Sequence, residues 1–206
     1  TPDTLVPRPD TEVLVESCLQ LDLPAQAAII DLGTGTGAIA LALASERPDW
    51  QVTATDIYPP TLAVAKENAQ LHNLERVEFK LGAWFAALGV PAEPRFDLIV
   101  SNPPYVDAED MADLPDEFRH EPELALAAGQ DGLDLVRKML AQAADYLTED
   151  GLIVIEVGNS EWAMKQNFNT VDFHWLQFQK GGSGIFALTA AQCRQYRDLF
   201  IQSVNS

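Results

Sequence analysis

An acid followed by alternating glycine and threonine, Asp31-Leu32-Gly33-Thr34-Gly35-Thr36-Gly37, leads straight into the small apolar run 38–44. Glycine lets a backbone turn sharply and come close to a ligand where a Cβ would clash. N–H groups exposed at a helix start favour an anionic or carboxylate group. Nineteen residues beyond Gly37 stands Asp56, at a spacing that lets a carboxylate grip both hydroxyls of a ribose. Together these residues point to an adenosine-containing ligand. They leave its kind open, because Gly33, Gly35 and Ala38 also satisfy the dinucleotide fingerprint and NAD fits them too. A tight strand-to-helix turn without any ligand accounts for the loop but not for Asp56.

The second constellation is Asn102-Pro103-Pro104-Tyr105. Consecutive prolines fix two φ angles and stiffen a turn. Such a turn can aim the Asn102 carboxamide oxygen and the Pro103 carbonyl, both acceptors, at a planar –NH2 group. Tyr105 can add a flat apolar wall. Alone, Pro-Pro is no more than a rigid loop exit. Its position changes the reading, because it closes an apolar segment that would end beside the glycine loop, where open α/β sheets bind ligands.

The elements that must position these groups follow from periodicity. Apolar, β-branched stretches at 27–32, 51–56, 76–81, 96–101, 152–157, 174–179 and 184–189 read as strands. Helical patterns lie at 11–21, 38–47, 60–72, 133–146, 161–167 and 190–200. Strands this apolar suit a parallel sheet covered on both faces, so the class is α/β and doubly wound. The short connection 180–183 leaves no room for a crossover helix and predicts an antiparallel terminal hairpin. The expected product is a seven-stranded, mostly parallel sheet. Residues 90–95 read as a Pro-containing loop, and 106–131 as a long acidic one of the kind that usually serves function.

Composition bounds the partners. Thirteen Lys and Arg stand against 31 Asp and Glu in 206 residues, a net charge of −18. Nearly half the residues are apolar, which excludes a disordered acidic tail. The charge also argues against tight, direct nucleic-acid binding, since phosphates are held mainly by Lys and Arg. No apolar run approaches the ~20 residues that span a bilayer, so no membrane association is expected. No secretory leader opens the chain, and a cytoplasmic location is expected. Cys18 and Cys193 make neither a disulfide framework nor a metal cluster, and no metal site is expected.

The motifs at 31–37, Asp56 and 102–105 resemble those of class I S-adenosylmethionine-dependent methyltransferases that act on amide or amino nitrogen. Leu5-Val6-Pro7-Arg8-Pro9-Asp10-Thr11-Glu12 narrows the resemblance to the bacterial HemK-type protein-glutamine methyltransferases. It covers almost the whole chain, in two dialects. Residues 7–12 and 33–44 resemble the branch acting on peptide-chain release factors. Residues 102–111, 119–124 and 156–160 resemble the sister branch acting on a large-subunit ribosomal protein. A recombined or reconstructed sequence would show this pattern, and so would an unusual natural member.

The resemblance implies a Rossmann-like class I fold and methylation of a glutamine side-chain amide in a translation protein. The ribosomal protein is slightly preferred over the release factor, and S-adenosylhomocysteine is the cofactor's product. It implies that Asp31, Gly33, Thr34, Gly35, Thr36, Gly37, Asp56, Trp84 and Asn102 contact the cofactor, with Trp84 beside the adenine. The family usually has Asp where Ala83 stands, which puts one polar contact in question. Asn102, Pro103 and Tyr105 would carry the catalysis. Pro104, Arg8, Glu12 and Glu121 would join them in holding the substrate. No strong base is needed, because a protonated product amide loses its proton readily. His72, His120 and His174 therefore read as surface or structural residues, and Trp162 and Trp175 as packing residues. Residues 1–25 would be an entry segment and helix, 26–200 the catalytic domain and 201–206 a tail, with the family's N-terminal helical domain missing. Competing readings are an adenine amino-group nucleic-acid methyltransferase using the same turn, a nucleotide-dependent oxidoreductase, which leaves 102–105 idle, and a cofactor-binding scaffold without enzymatic activity.

Overall fold

The computed structural model describes residues 9–89, 95–104, 131–176 and 184–204, with side chains from residue 11 onward. Helix α1 (Pro9–Leu19) enters the fold and is followed by β1 (Ala28–Leu32), α2 (Ala38–Glu46), β2 (Gln51–Asp56), α3 (Pro59–Leu71) and β3 (Glu78–Leu81). Leu98, Ile99 and Val100 in β4 (Phe96–Ser101) are fully buried, as expected of a central strand covered on both faces. Helix α4 (Asp134–Tyr146), β5 (Leu147–Glu156), α5 (Glu161–Asn167), β6 (His174–Trp175) and β7 (Ile185–Thr189) complete the sheet. Two short helices, α6 (Ala190–Gln195) and α7 (Arg197–Val204), close the chain.

The seven strands run in the order β3-β2-β1-β4-β5-β7-β6. The first five are mutually parallel, and β7 lies antiparallel to both β5 and β6. The sequence-predicted sheet and its antiparallel end are therefore present, with β7 inserted between β5 and β6. From β1 the chain winds outward through β2 and β3, then returns to start the other half at β4. That reversal opens the ligand crevice between the carboxyl ends of β1 and β4.

Two apolar layers sandwich the sheet. One joins Leu14 and Cys18 of α1 and Ile39, Leu41 and Leu43 of α2 to Ile29, Val100 and Val154. The other packs Val136, Met139 and Leu140 of α4 and Phe200 of α7 against Ile30, Ile99 and Ile155.

Several boundaries differ from the sequence reading, each for a local reason. Strand β5 begins at Leu147 rather than 152. Leu147 pairs with Phe96, the ladder slips, and pairing resumes at Leu152 with Leu98. The Thr148 hydroxyl donates to Asp97 at 3.0 Å within the slip, and a Cβ on Gly151 would stand 2.9 Å from the Phe96 carbonyl oxygen. Strand β3 starts two residues late because Val77 N–H closes a turn onto the Leu74 carbonyl at 3.0 Å. The terminal helix is interrupted at Tyr196 and runs on to Val204, through most of the expected tail. Residues 177–183, 90–94 and 105–130 lie outside the described residues, and with them the hairpin connection and both predicted loops except Arg95 and Asp131. No described helix is long and apolar enough to cross a membrane.

Candidate active site

Gly33, Gly35 and Gly37 all adopt positive φ, and each faces a different neighbour. A Cβ on Gly33 would stand 2.9 Å from Cζ3 of Trp84, so that glycine admits the indole. A Cβ on Gly37 would press on Leu41 and Ala65, so that glycine lets α2 and α3 approach. Nothing lies within 4 Å of a Cβ on Gly35, whose face is open. The loop is therefore two packing glycines around one that opens on the crevice.

The loop's N–H groups are largely engaged inside the protein. Gly33 and Thr34 both donate to the Thr55 carbonyl at 2.9 Å, Gly37 donates to Thr34 at 2.9 Å, and Gly35 donates to Asp56 Oδ2 at 3.0 Å. The amides of Gly33, Thr34, Gly35 and Gly37 are thus satisfied within the protein. Asn68 on α3, which the sequence reading passed over, ties the loop further by donating to the Thr36 carbonyl at 2.9 Å. Its only sequence signal is an amide in the middle of a helical pattern.

Carboxylates dominate what remains. Asp31 is fully buried at the end of β1, where its Oδ2 accepts the Thr34 hydroxyl at 2.6 Å. Its Oδ1 has no hydrogen-bond partner; the Ala40 N–H faces the carboxylate without closing a bond to that atom. Burial pushes the Asp31 carboxyl up to about 7, the Thr34 and Ala40 donors pull it down, and the Asp56 charge adds a small upward push. Asp56 accepts from Gly35 with one oxygen and from Tyr58 N–H with the other at 2.9 Å. Burial raises its pKa against those backbone donors. Each Asp56 oxygen keeps acceptor capacity, so the carboxylate can brace the loop and receive a hydroxyl together.

Trp84 opens a 3-10 turn (Trp84–Leu88) with φ 48, a left-handed conformation that costs a bulky residue energy. Its half-buried indole lies on the glycine loop. At the end of β4, Ser101 is anchored by donating its hydroxyl to the Leu32 carbonyl at 2.7 Å, which fixes the base of the Asn102 turn to β1. Asn102 and Pro104 are half-buried and Pro103 is buried. The structure thus brings Asp31, residues 33–37, Asp56, Trp84 and Asn102–Pro103–Pro104 to one sheet edge. Glu12 is exposed on α1, while Tyr105, Arg8 and Glu121 lie outside the described residues. Trp162 is 73% exposed on α5 and does not pack, contrary to the sequence reading. Trp175 does pack, 5.4 Å from the Phe186 ring and 5.9 Å from Phe173.

An orphaned buried carboxylate oxygen beside an open glycine face suits a ligand bearing positive charge and donors. The amides of Gly33, Thr34, Gly35 and Gly37 are already engaged and are not offered to a pyrophosphate. Sheet order, crevice and site together define a methyltransferase-type Rossmann-like fold. Residues 9–130 match the model of the Methyltransferase small domain, and the chain belongs to that family.

Among curated proteins, the chain is 41% identical over 180 residues to the ribosomal protein uL3 glutamine methyltransferase of Francisella tularensis, covering 87% of this chain and 56% of that protein. It is 49% identical over 155 residues to the release factor glutamine methyltransferase of Shewanella oneidensis, covering 75% and 53%. The chain spans about half the length of these relatives. Among solved structures, a methyltransferase from Pyrococcus furiosus superposes with TM-score 0.66 at 20% identity over 92% of this chain and 86% of its own. An RNA methyltransferase from Salinibacter ruber, in complex with S-adenosyl-L-homocysteine, gives 0.55 at 16% identity over 90% and 93%. At these identities the likeness is one of fold.

Proposed function

We propose that the chain methylates a glutamine side-chain amide nitrogen in a translation protein, using S-adenosylmethionine. The ribosomal protein uL3 is the first candidate acceptor and a release factor the second, in line with the two curated relatives. The observation that carries the reading is the rigid Asn102-Pro103 turn, joined through Ser101 to the strand that feeds the glycine loop. An oxidoreductase reading explains the loop but gives that turn no task.

When bound, S-adenosylmethionine supplies an activated methyl group on a positively charged sulfur. Asp31 and the open face of Gly35 receive its charged amino-acid end, Asp56 its ribose hydroxyls, and Trp84 flanks the adenine. The amide nitrogen is a weak nucleophile because its lone pair is delocalised into the carbonyl, so the protein's work is orientation. Asn102 Oδ1 and the Pro103 carbonyl accept the two amide N–H bonds. They hold the nitrogen in line and draw electron density toward it as positive charge develops. Pro104 stiffens the turn, and Glu12, exposed on α1, borders the entrance in this reading.

Calorimetric titration tests the cofactor half of this reading. Binding of S-adenosylhomocysteine with no heat from NAD is expected; the reverse pattern would move the chain to the oxidoreductase reading.

A further inference from the structure

Sheet register places one more polar group beside the Asn102 turn. Ser101 on β4 pairs with Ile155 on β5, so the next residues, Asn102 and Glu156, leave the ladder side by side at roughly the 4.8 Å strand spacing. Glu156 ends β5 and is 2% exposed. Val154 lies in the apolar layer under α1 and α2, as does Ile185, the cross-strand partner of Glu156, whereas Ile155 lies in the opposite layer. Strand alternation therefore puts the Glu156 side chain on the α1 and α2 side of the sheet. Ile29 and Ala54 share that layer, so the same alternation brings Asp31 and Asp56 out there too.

Position along the sheet separates these acids. In the order β2-β1-β4-β5, Asp56 and Asp31 lie on the glycine-loop side of Asn102, and Glu156 lies on the far side. The exit of β5 is held firmly. Val157 N–H donates to the Gly184 carbonyl at 2.7 Å, and Gly184 N–H donates to Glu161 at 2.9 Å. A Cβ on Gly184 would stand only 2.3 Å from the Gly158 carbonyl oxygen. Glu156 thus ends a firmly tied strand on the far side of Asn102, whereas Asp31 and Asp56 lie on the glycine-loop side.

We propose that Glu156 is a positioning residue for charge, favouring the positive charge that arrives on the acceptor nitrogen; this rests on the reading of Asn102 as the amide holder. The N–C bond forms as the C–S bond breaks, and the C–S electron pair stays on sulfur. One positive charge passes from sulfur to nitrogen, and the nitrogen then releases a proton to water. Asp56 favours the charge at its starting point, whereas the Glu156 carboxylate beyond Asn102 favours it where it ends. A preorganised charge on that side lowers the barrier without tightening the binding of neutral substrate.

Glu156→Gln keeps the shape and replaces the carboxylate with an amide. On a glutamine peptide from uL3 or the release factor, kcat should fall at least ~10-fold, with peptide KM and S-adenosylhomocysteine affinity within about 2-fold. A second readout needs no turnover. Ornithine in place of the glutamine sets an ammonium where the amide nitrogen stands. With S-adenosylhomocysteine present, Glu156→Gln should bind the ornithine peptide about 10-fold more weakly than the unaltered protein does, with no loss for the glutamine peptide. An unchanged kcat together with an unchanged ornithine-to-glutamine affinity ratio overturns the proposal. If Glu156→Gln does not fold, Glu156→Asp carries the test: it must retain the ornithine preference, and losing it overturns the proposal. Asn102→Ala, run in parallel, separates the two claims. A dead Asn102→Ala beside a normal Glu156→Gln sinks only the role of Glu156, while a fully active Asn102→Ala sinks the amide reading beneath it.

Discussion

Asp31 links ligand chemistry to stability most directly. Its carboxyl is pushed up to about 7 by burial, far above its unfolded value near 4. The folded state therefore holds the proton more tightly than the unfolded state between those values. The stabilising contribution is whole below about pH 4 and is lost as pH rises through about 7. Asp31→Asn removes this dependence, so its stability should fall less between pH 4 and 7, by on the order of 4 kcal/mol, than that of the unaltered protein. Urea melts of both proteins across that window check this, and parallel curves would show that Asp31 is ionised throughout. Asp56 makes a different prediction because it braces the loop through Gly35 and Tyr58. Asp56→Ala should weaken S-adenosylhomocysteine binding by about 1–3 kcal/mol, the scale of a charge-assisted hydrogen bond, and lower the melting temperature as well. Calorimetry with an unchanged dissociation constant would remove Asp56 from the site.

Between the elements, the contact that matters most is Trp84 on Gly33. Gly33→Ala meets both a positive φ and the indole, so it should cost about 1–3 kcal/mol and shift Trp84 fluorescence. Adding Trp84→Ala should recover part of that loss, because the steric half of the conflict disappears; a purely additive double variant would contradict the contact. This contact also shows where sequence reading stops. Strands 51–56 and 96–101 were legible to the residue because the first alternates Val52 and Ala54 with β-branched threonines, the second is an apolar run, and turn chemistry bounds both. The glycine loop was legible as a loop. Its engaged N–H groups were not, since their acceptors, the Thr55 carbonyl and Asp56, arrive from a neighbouring strand whose register no local pattern states. The early start of β5 at Leu147 was hidden by Glu149-Asp150-Gly151, which reads as a turn and is instead absorbed as a slip in the ladder. Glu156 was read only as the first residue of the stretch 156–160 that resembles the ribosomal-protein branch, and no role was assigned to it. Pairing of β5 with β4 is what sets it beside Asn102.

At the largest scale, these 206 residues carry a net charge of −18. Complementary fields chiefly speed encounter, so a locally basic acceptor protein is favoured. Raising ionic strength shortens the Debye length from about 10 Å at 0.1 M to about 3 Å at 1 M. kcat/KM for the protein acceptor should therefore fall with salt, while kcat and S-adenosylhomocysteine affinity hold nearly constant. A salt-independent kcat/KM in stopped assays would assign partner choice to shape alone. The central claim is methyl transfer to a glutamine amide held by Asn102. It is tested by mass spectrometry of uL3 and a release factor after incubation with the protein and S-adenosylmethionine, using the unaltered chain and Asn102→Ala side by side. The account predicts a single added methyl on one glutamine with the unaltered chain, and a rate at least ~100-fold lower with a folded Asn102→Ala. Methylation of neither protein, or equal methylation by both forms of the enzyme, would contradict it.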